Sequence, residues 1–142
     1  MATPLSLYVP IKQDATSQAT AQAMYTDFIA TITDTLNSTK IVHYARLVLI
    51  PNESGTGTNA IMLVTTFDGA MNPYLNTFWS AGDNFHTFVN TVANIALNPS
   101  PLPIETLSAF ENFINSNNLS QPSDLYQAYN DTVNQILAYN EG

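Results

Sequence analysis

The sequence contains no cysteine and no long apolar run, and each absence excludes a class of protein. Without cysteine among its 142 residues, the chain has no disulfide, thiol nucleophile, zinc–thiolate site or iron–sulfur cluster. No stretch approaches the roughly 18 consecutive apolar residues that indicate a membrane-spanning helix. Residues 1–10 lack the basic segment and apolar run of a secretory signal, so we predict a cytoplasmic protein.

Charged residues are also scarce, above all the basic ones. Only Lys12, Lys40 and Arg46 are basic, against 11 acidic residues, which gives a net charge of -8. Binding to nucleic acid and to anionic membranes depends on Lys and Arg that neutralise phosphates, so we predict neither partner. The chain has 2 histidines and no HxH or HExxH spacing, so we also predict no protein-ligated metal ion.

What the sequence does contain is a regular succession of strand and helix patterns in a single domain over residues 1–142. Residues 5–12 alternate apolar and polar side chains, as in a strand with one buried face. Residues 41–50 and 60–69 are apolar on both faces, and the Gly-containing segment 53–59 between them predicts an antiparallel hairpin. Residues 124–129 predict a short final strand. Helical spacing of apolar residues predicts helices over 15–36, 71–79, 84–96 and 104–116, and one more that is capped by Asn130 or Asp131.

This order of elements predicts an α+β fold of the ferredoxin-like βαββαβ kind, a four-stranded antiparallel sheet with extra helices. Helices cover one face of such a sheet. Strands 41–50 and 60–69 carry apolar side chains on the other face as well, and a large exposed apolar patch is rare on a monomer. We therefore predict a homodimer in which two sheets pack face to face as a dimeric α+β barrel.

Several short motifs support this architecture through a resemblance. VPIK at 9–12, HYAR at 43–46, TTFDG at 65–69 and YLNTF at 74–78 resemble, in order and spacing, a group of poorly characterised bacterial proteins. LYQAYNDTVNQIL at 125–137 is similar to that group's final strand and helix, whereas Thr66 stands where the group often has Asn. The group looks related to the dimeric α+β barrel superfamily. That superfamily includes haem proteins such as dye-decolorising peroxidases and chlorite dismutases, so the resemblance implies a fold and a dimer but no single activity.

His43 and Arg46 are the leading candidates for chemistry. They lie three residues apart on one predicted strand, so their side chains leave opposite faces unless a bulge intervenes. Arg46 is interpreted as an anchor for an anion inside the barrel or as the partner of an acid such as Asp68. His43 is either a hydrogen-bonded structural histidine or a general base. Asp68 and Gly69 fit a helix N-cap followed by a turn glycine.

The remaining candidates are aromatic residues and the second histidine. Tyr8, Tyr44, Tyr74, Trp79 and Tyr126 either line a ligand cavity or pack in the core and the dimer interface. The resemblance implies haem as an alternative cofactor, with His86 as its iron ligand, but a single helical histidine is more often a packed or surface residue. The sequence thus predicts a homodimer that binds a small apolar or weakly anionic molecule between paired sheets. A haem- or oxygen-linked oxidoreductase and a structural or accessory interaction module are the alternatives, and whether the protein is an enzyme stays open.

Overall fold

Three antiparallel strands form one sheet in the computed structural model, which describes residues 2–80, 83–98 and 103–140. The strands are β1 (Ala2–Pro10), β2 (Val42–Pro51) and β3 (Thr58–Asp68), and their order β1-β3-β2 places β3 in the centre. The described residues also form five α-helices, so the α+β class is confirmed. These helices are α1 (Ala15–Thr39), α2 (Met71–Ser80), α3 (Asp83–Ile95), α4 (Leu107–Asn117) and α5 (Val133–Asn140). None of them is long and apolar enough to cross a membrane.

The first helix begins where its capping residue predicts. The Asp14 side chain accepts a hydrogen bond from the Ser17 backbone N–H at 3.0 Å, which satisfies one of the amides that a helix leaves unpaired at its start. Helix α1 continues three residues beyond the predicted end at 36. It stops at Lys40, whose φ of 54° is the left-handed conformation that commonly ends a helix. Gly82, where we predict the break between α2 and α3, lies outside the described residues.

The predicted fourth strand is wrong. Pro122–Asp124 form one turn of 3-10 helix, and the following residues up to 132 pair with no described strand. The chain after α4 already covers the outer edge of β1, because Leu119 donates its backbone N–H to the carbonyl oxygen of Ser6 at 2.9 Å. Asn118 forms a bridge with Leu7, and its side-chain oxygen accepts the Ser6 N–H. This position beside β1 is therefore filled before residue 124 is reached.

One face of the sheet packs against the helices. Leu5, Leu7 and Val9 of β1 lie on that face, and their register partners on β3 and β2 lie beside them: Thr65, Leu63 and Ile61, then Ala45, Leu47 and Leu49. Phe67 stacks on Tyr74 of α2 with ring centroids 3.5 Å apart, and Phe78, Phe85 and Phe110 extend this aromatic core. Burial raises the pKa of the Tyr74 hydroxyl above its usual range. Tyr74 and Trp79 are thus core residues, as one of the two sequence interpretations predicts.

The opposite face of the sheet, here called the open face, carries no helix in the described part of the chain. Its side chains lie in rows across the three strands because the register pairs their residues directly. One row contains Ser6, Val64 and Arg46, and the next contains Tyr8, Met62 and Val48. Val64 is 37% exposed and Tyr44 is 73% exposed, while Tyr8, Met62 and Val48 are half-buried by their neighbours. Strands β2 and β3 are therefore apolar on both faces, as the sequence predicts.

Candidate functional site

The candidate site begins at an irregularity in β2. Val42 pairs with Phe67 and Tyr44 pairs with Thr66, so His43 is an extra residue on β2 that has no opposite partner on β3. A bulge of this kind bends the strand and redirects the side chain of the extra residue. The imidazole of His43 accordingly reaches Asp68 at the end of β3, with Nε2 2.8 Å from the Asp68 Oδ1 oxygen.

Asp68 joins three elements through its carboxylate. One oxygen contacts His43 on β2, and the other, Oδ2, accepts the backbone N–H of Val133 at 2.8 Å. Val133 is the first residue of α5, whose N-terminal amides have no partner within the helix. The side chains of His43 and Asp68 are 10% and 14% exposed, so both hydrogen bonds are largely shielded from water. The carboxylate therefore holds the start of α5 at the end of the central strand β3.

Two other backbone N–H groups at the start of α5 are capped by side chains of Thr132 and Gln135. Thr132 accepts the backbone N–H of Gln135 at 3.2 Å, and the Gln135 side chain accepts the backbone N–H of Thr132 at 2.8 Å. This reciprocal pair is a capping box, which fixes the N-cap at Thr132 rather than at the predicted Asn130 or Asp131. Asp68 supplies an acceptor to the next amide, and its negative charge complements the positive end of the helix dipole.

The His43–Asp68 pair determines which imidazole nitrogen is basic. A carboxylate only accepts hydrogen bonds, so the proton of neutral His43 is on Nε2, facing Asp68. The lone pair is then on Nδ1, which is free to accept a proton or a hydrogen bond from a bound molecule. The arrangement suits an acid–base group or a polar anchor, and it requires no metal ion. In the described part of the chain, no group of three or more His, Asp or Glu side chains is close enough to hold one.

A surface pocket of about 460 Å³ lies beside this pair. His43 and Tyr44 form one wall of it, and the segment that precedes α5 forms the other. The lining residues are His43, Tyr44, Gln127, Ala128, Tyr129, Asp131 and Ile136. The pocket is large enough for a small ligand and offers an imidazole, two phenol rings and one carboxylate.

Arg46 lies next to this site without being part of the pocket. It is exposed on the open face, in the row adjacent to that of Tyr44. The predicted alternative of an ion pair with Asp68 is not formed, since Asp68 contacts His43 and Val133 instead. Among the described residues, Arg46 makes no ion pair with any acid.

The two remaining tyrosines of the predicted site lie farther away. Tyr8 is on the open face of β1, across the sheet from Val48, and its hydroxyl accepts a hydrogen bond from Asn59 at 3.2 Å. Tyr126 is 87% exposed and does not line the pocket. Within one copy of the chain, the structure therefore brings together His43, Tyr44 and Asp68, with Arg46 adjacent, but not Tyr8 or Tyr126.

Asp68 differs from its predicted role, whereas Gly69 does not. Asp68 does not cap α2, because the first intrahelical bond there runs from Tyr74 N–H to the carbonyl oxygen of Ala70. The Asp68 carboxylate caps α5 instead, which is 65 residues away along the chain. Gly69 does form the turn, with a φ of 92° that favours glycine.

His86 does not fit a haem. Its Nε2 is hydrogen-bonded to the carbonyl oxygen of Trp79, and its ring stacks on the indole of Trp79 with centroids 3.8 Å apart. The groove beside His86 is lined mainly by polar side chains, whereas a haem plane requires a largely apolar cleft. Those groove residues are Thr20, Thr87, Asn90, Thr91, Asn94 and Pro103. His86 is thus a packed structural histidine.

The second wall of the pocket and the hydrogen bond between Asp68 and α5 are not predicted from the sequence. Gln127, Tyr129 and Asp131 were assigned to a strand or to a helix cap, so they were not candidates. One signal was available: Thr132 and Gln135 have the T-x-x-Q spacing of a capping box, which marks Val133 as the first residue of a helix. Nothing in the sequence indicates that Asp68 would reach that residue.

Comparisons with known proteins add no assignment. No protein-family description matches the chain. Neither a curated protein nor a solved structure matches it at a significant level. The resemblance to dimeric α+β barrel proteins therefore stays a prediction from short motifs.

Proposed function

We propose that the protein is a homodimer of ferredoxin-like subunits whose open faces pack together and bind a small, weakly anionic molecule beside Arg46 and the His43–Asp68 pair. The observation that carries this proposal is the open face itself. It combines apolar side chains such as Val64 and Val48 with an exposed arginine in the same part of the sheet. A helix-free face of this composition favours a partner surface over water.

The charge of Arg46 supports an anionic ligand. The chain has 3 basic residues and a net charge of -8, and Arg46 is the one of the three that lies exposed on the open face, without an ion pair among the described residues. A guanidinium forms paired hydrogen bonds with a carboxylate or a similar planar anion. Packing two open faces together would bury Arg46 in the interface. A buried charge is costly there unless an anion accompanies it.

The His43–Asp68 pair supports a polar contact at one end of the ligand. Asp68 holds the imidazole with Nδ1 as the acceptor nitrogen, and Tyr44 connects this position to the open face, since it lines the pocket and also faces the same side as Arg46. A ligand that reaches along β2 from Tyr44 to Arg46 would contact the Arg46 guanidinium as a donor and the His43 Nδ1 as an acceptor. The weakly anionic character follows from the single cation, Arg46, that this part of the open face offers.

Neither alternative from the sequence gains an observation in its favour. The haem alternative requires His86, whose accessible nitrogen and ring face are occupied by Trp79. The accessory-module alternative requires a surface specific for another protein, and in the proposed dimer a second copy would cover the open face instead.

The test combines sedimentation with binding of an apolar anionic dye, anilinonaphthalene sulfonate, as the probe. We expect the wild-type protein to sediment as a dimer and to bind the dye. Arg46→Gln should weaken binding by about tenfold or more, which is the loss of one charge-assisted hydrogen bond. Lys12→Gln is the matched control, because it changes the net charge equally and the Lys12 side chain donates to the carbonyl oxygen of Asn94, away from the proposed site. A monomer at all concentrations, or equal losses in the two variants, would refute the proposal.

A further inference from the structure

Residues 125–131 form a segment whose backbone has no hydrogen-bond partner within the described residues. Backbone hydrogen bonds of the preceding turn end with the Asp124 N–H, which donates to Gln121, and the next ones begin at Thr132. Leu125 has an extended backbone, with φ of -94° and ψ of 124°. Tyr126 and Tyr129 are 87% and 82% exposed. The segment forms neither helix nor strand and bends at Ala128, and it contains leucine and tyrosine side chains, which favour strands.

The sheet offers one exposed edge for such a strand. The outer edge of β1 is covered, because Leu119 and Leu97 donate their backbone N–H groups to Ser6 and Pro10. The outer edge of β2 has no corresponding partner in residues 2–80, 83–98 and 103–140. Strand β2 has 10 residues, and its sequence VHYARLVLIP contains one formally charged residue and no interior proline. Lysines and short lengths are among the usual protections of an edge strand, and β2 has neither; its one proline, Pro51, stands at its last position.

We infer that residues 125–131 of one protomer pair as a strand with the exposed edge of β2 in a second copy of the chain. The inference rests on the dimer of the proposed function and identifies a second contact within it. Each copy of the chain carries both the unpaired segment and the unpaired β2 edge. Two copies related by a two-fold axis would therefore pair the backbone groups of both segments and both edges at once. Once straightened into a strand on the partner, the seven residues 125–131 would span about 23 Å at roughly 3.3 Å per residue, the length of the seven residues from Ala45 to Pro51.

Pairing with β2 of the same copy is disfavoured by the anchor at Asp68. Val133, two residues after the segment, is held at the end of β3 by its hydrogen bond to Asp68. Of β2, only His43 and Tyr44 line the pocket that separates the segment from the sheet. The segment therefore approaches only the beginning of its own β2, whereas the edge from Ala45 onward is available to another copy.

Amide hydrogen exchange on the full-length protein tests this pairing directly. Sedimentation first establishes the concentrations at which dimer and monomer predominate. In the dimer, we expect alternate amides of residues 125–131 to exchange at least tenfold more slowly than in the monomer, since alternate N–H groups of an edge strand point toward the neighbouring strand. No intrachain hydrogen bond would account for that protection.

Two adjacent proline substitutions provide a second readout with an internal control. Gln127→Pro and Ala128→Pro each remove one N–H, and the two groups point to opposite sides of an extended segment. One variant should raise the dimer dissociation constant by about tenfold while the other leaves it unchanged, since a single ladder hydrogen bond is lost. Monomer stability should not change in either variant, because neither N–H is bonded to any residue in the described ranges.

The outcomes separate this inference from the proposed function. A dimer in which residues 125–131 exchange rapidly, or in which both proline variants associate normally, overturns the strand pairing and leaves the dimer intact. Protection that does not depend on protein concentration shows pairing within one chain and also overturns it. A monomer at every concentration removes both the pairing and the dimer.

Discussion

Replacing Asp68 by alanine should detach α5 while leaving the core folded. The carboxylate accepts two hydrogen bonds of 2.8 Å, from His43 and from the first amide of α5. Hydrogen bonds to a charged group contribute ~1.5–3 kcal/mol each. The Asp68 side chain is 14% exposed, so water replaces part of these two hydrogen bonds in the variant. We expect a combined loss of stabilising free energy of about 2–3 kcal/mol. The loss falls mainly on α5, because a helix of 8 residues is not stable by itself in water.

Amide hydrogen exchange and tryptophan fluorescence measure the two parts of this prediction separately. Protection of the α5 amides should fall by about 30-fold or more, which corresponds to ~2 kcal/mol. Trp79, the one tryptophan in the chain, packs against Phe110 in the core and should report a nearly unchanged urea midpoint. Asp131→Ala is the matched control, since it removes a carboxylate near the same helix end without removing either hydrogen bond; it should cost no more than ~0.3–1 kcal/mol. Equal loss of protection in α1 and α5, or no change in α5, would refute the reasoning.

Three further predictions concern the core, a helix cap and a turn. Phe110→Ala should lower the free energy of unfolding by ~3–5 kcal/mol in urea denaturation, because its ring is fully buried against Trp79; a loss below ~1 kcal/mol would contradict that packing. Hydrogen bonds from the first turn of α1 lower the pKa of Asp14, so its capping contribution should be present above its ordinary value of 3.8 and disappear at lower pH. Thermal denaturation of wild type and Asp14→Ala should therefore converge on acidification, and a constant difference would count against this cap. Gly69→Ala should cost ~1–2 kcal/mol, because φ is 92° there although space for a methyl group exists; calorimetry showing no loss would mean that the turn relaxes.

Much of the fold could be predicted because local patterns and long-range packing agree. The alternation in β1 and the helical spacing in α1 each match one buried face, so burial and periodicity gave the same answer. The doubly apolar β2 and β3 were also predicted correctly, although their second face has no cover within one described chain. Where local pattern and packing conflict, as in residues 124–129, the prediction failed. The strand-forming residues are present there, but Asn118 and Leu119 had already taken the edge of β1.

The candidate site was predictable in its residues but not in its connections. Histidine, arginine and aspartate are recognisable as chemical groups from the sequence alone, and Tyr44 lies next to His43. Their arrangement depends on one extra residue in β2, which turns His43 toward Asp68. A bulge shifts the pairing register by a single residue and leaves no distinctive sequence signature. The hydrogen bond that the Val133 N–H donates to Asp68 joins residues 65 positions apart, which no local pattern encodes.

The chain that follows α4 has a consequence for how far any self-assembly can proceed. A sheet whose two edge strands both lack a hydrogen-bonding partner can add further molecules at each edge without limit, which is the geometry of a fibre. Here Asn118, Leu119 and Leu97 occupy the backbone groups along one side of the sheet, so growth in that direction is blocked. Association through the remaining edge stops at two molecules if it follows a two-fold axis, because the β1 edge offers no further site in the described chain.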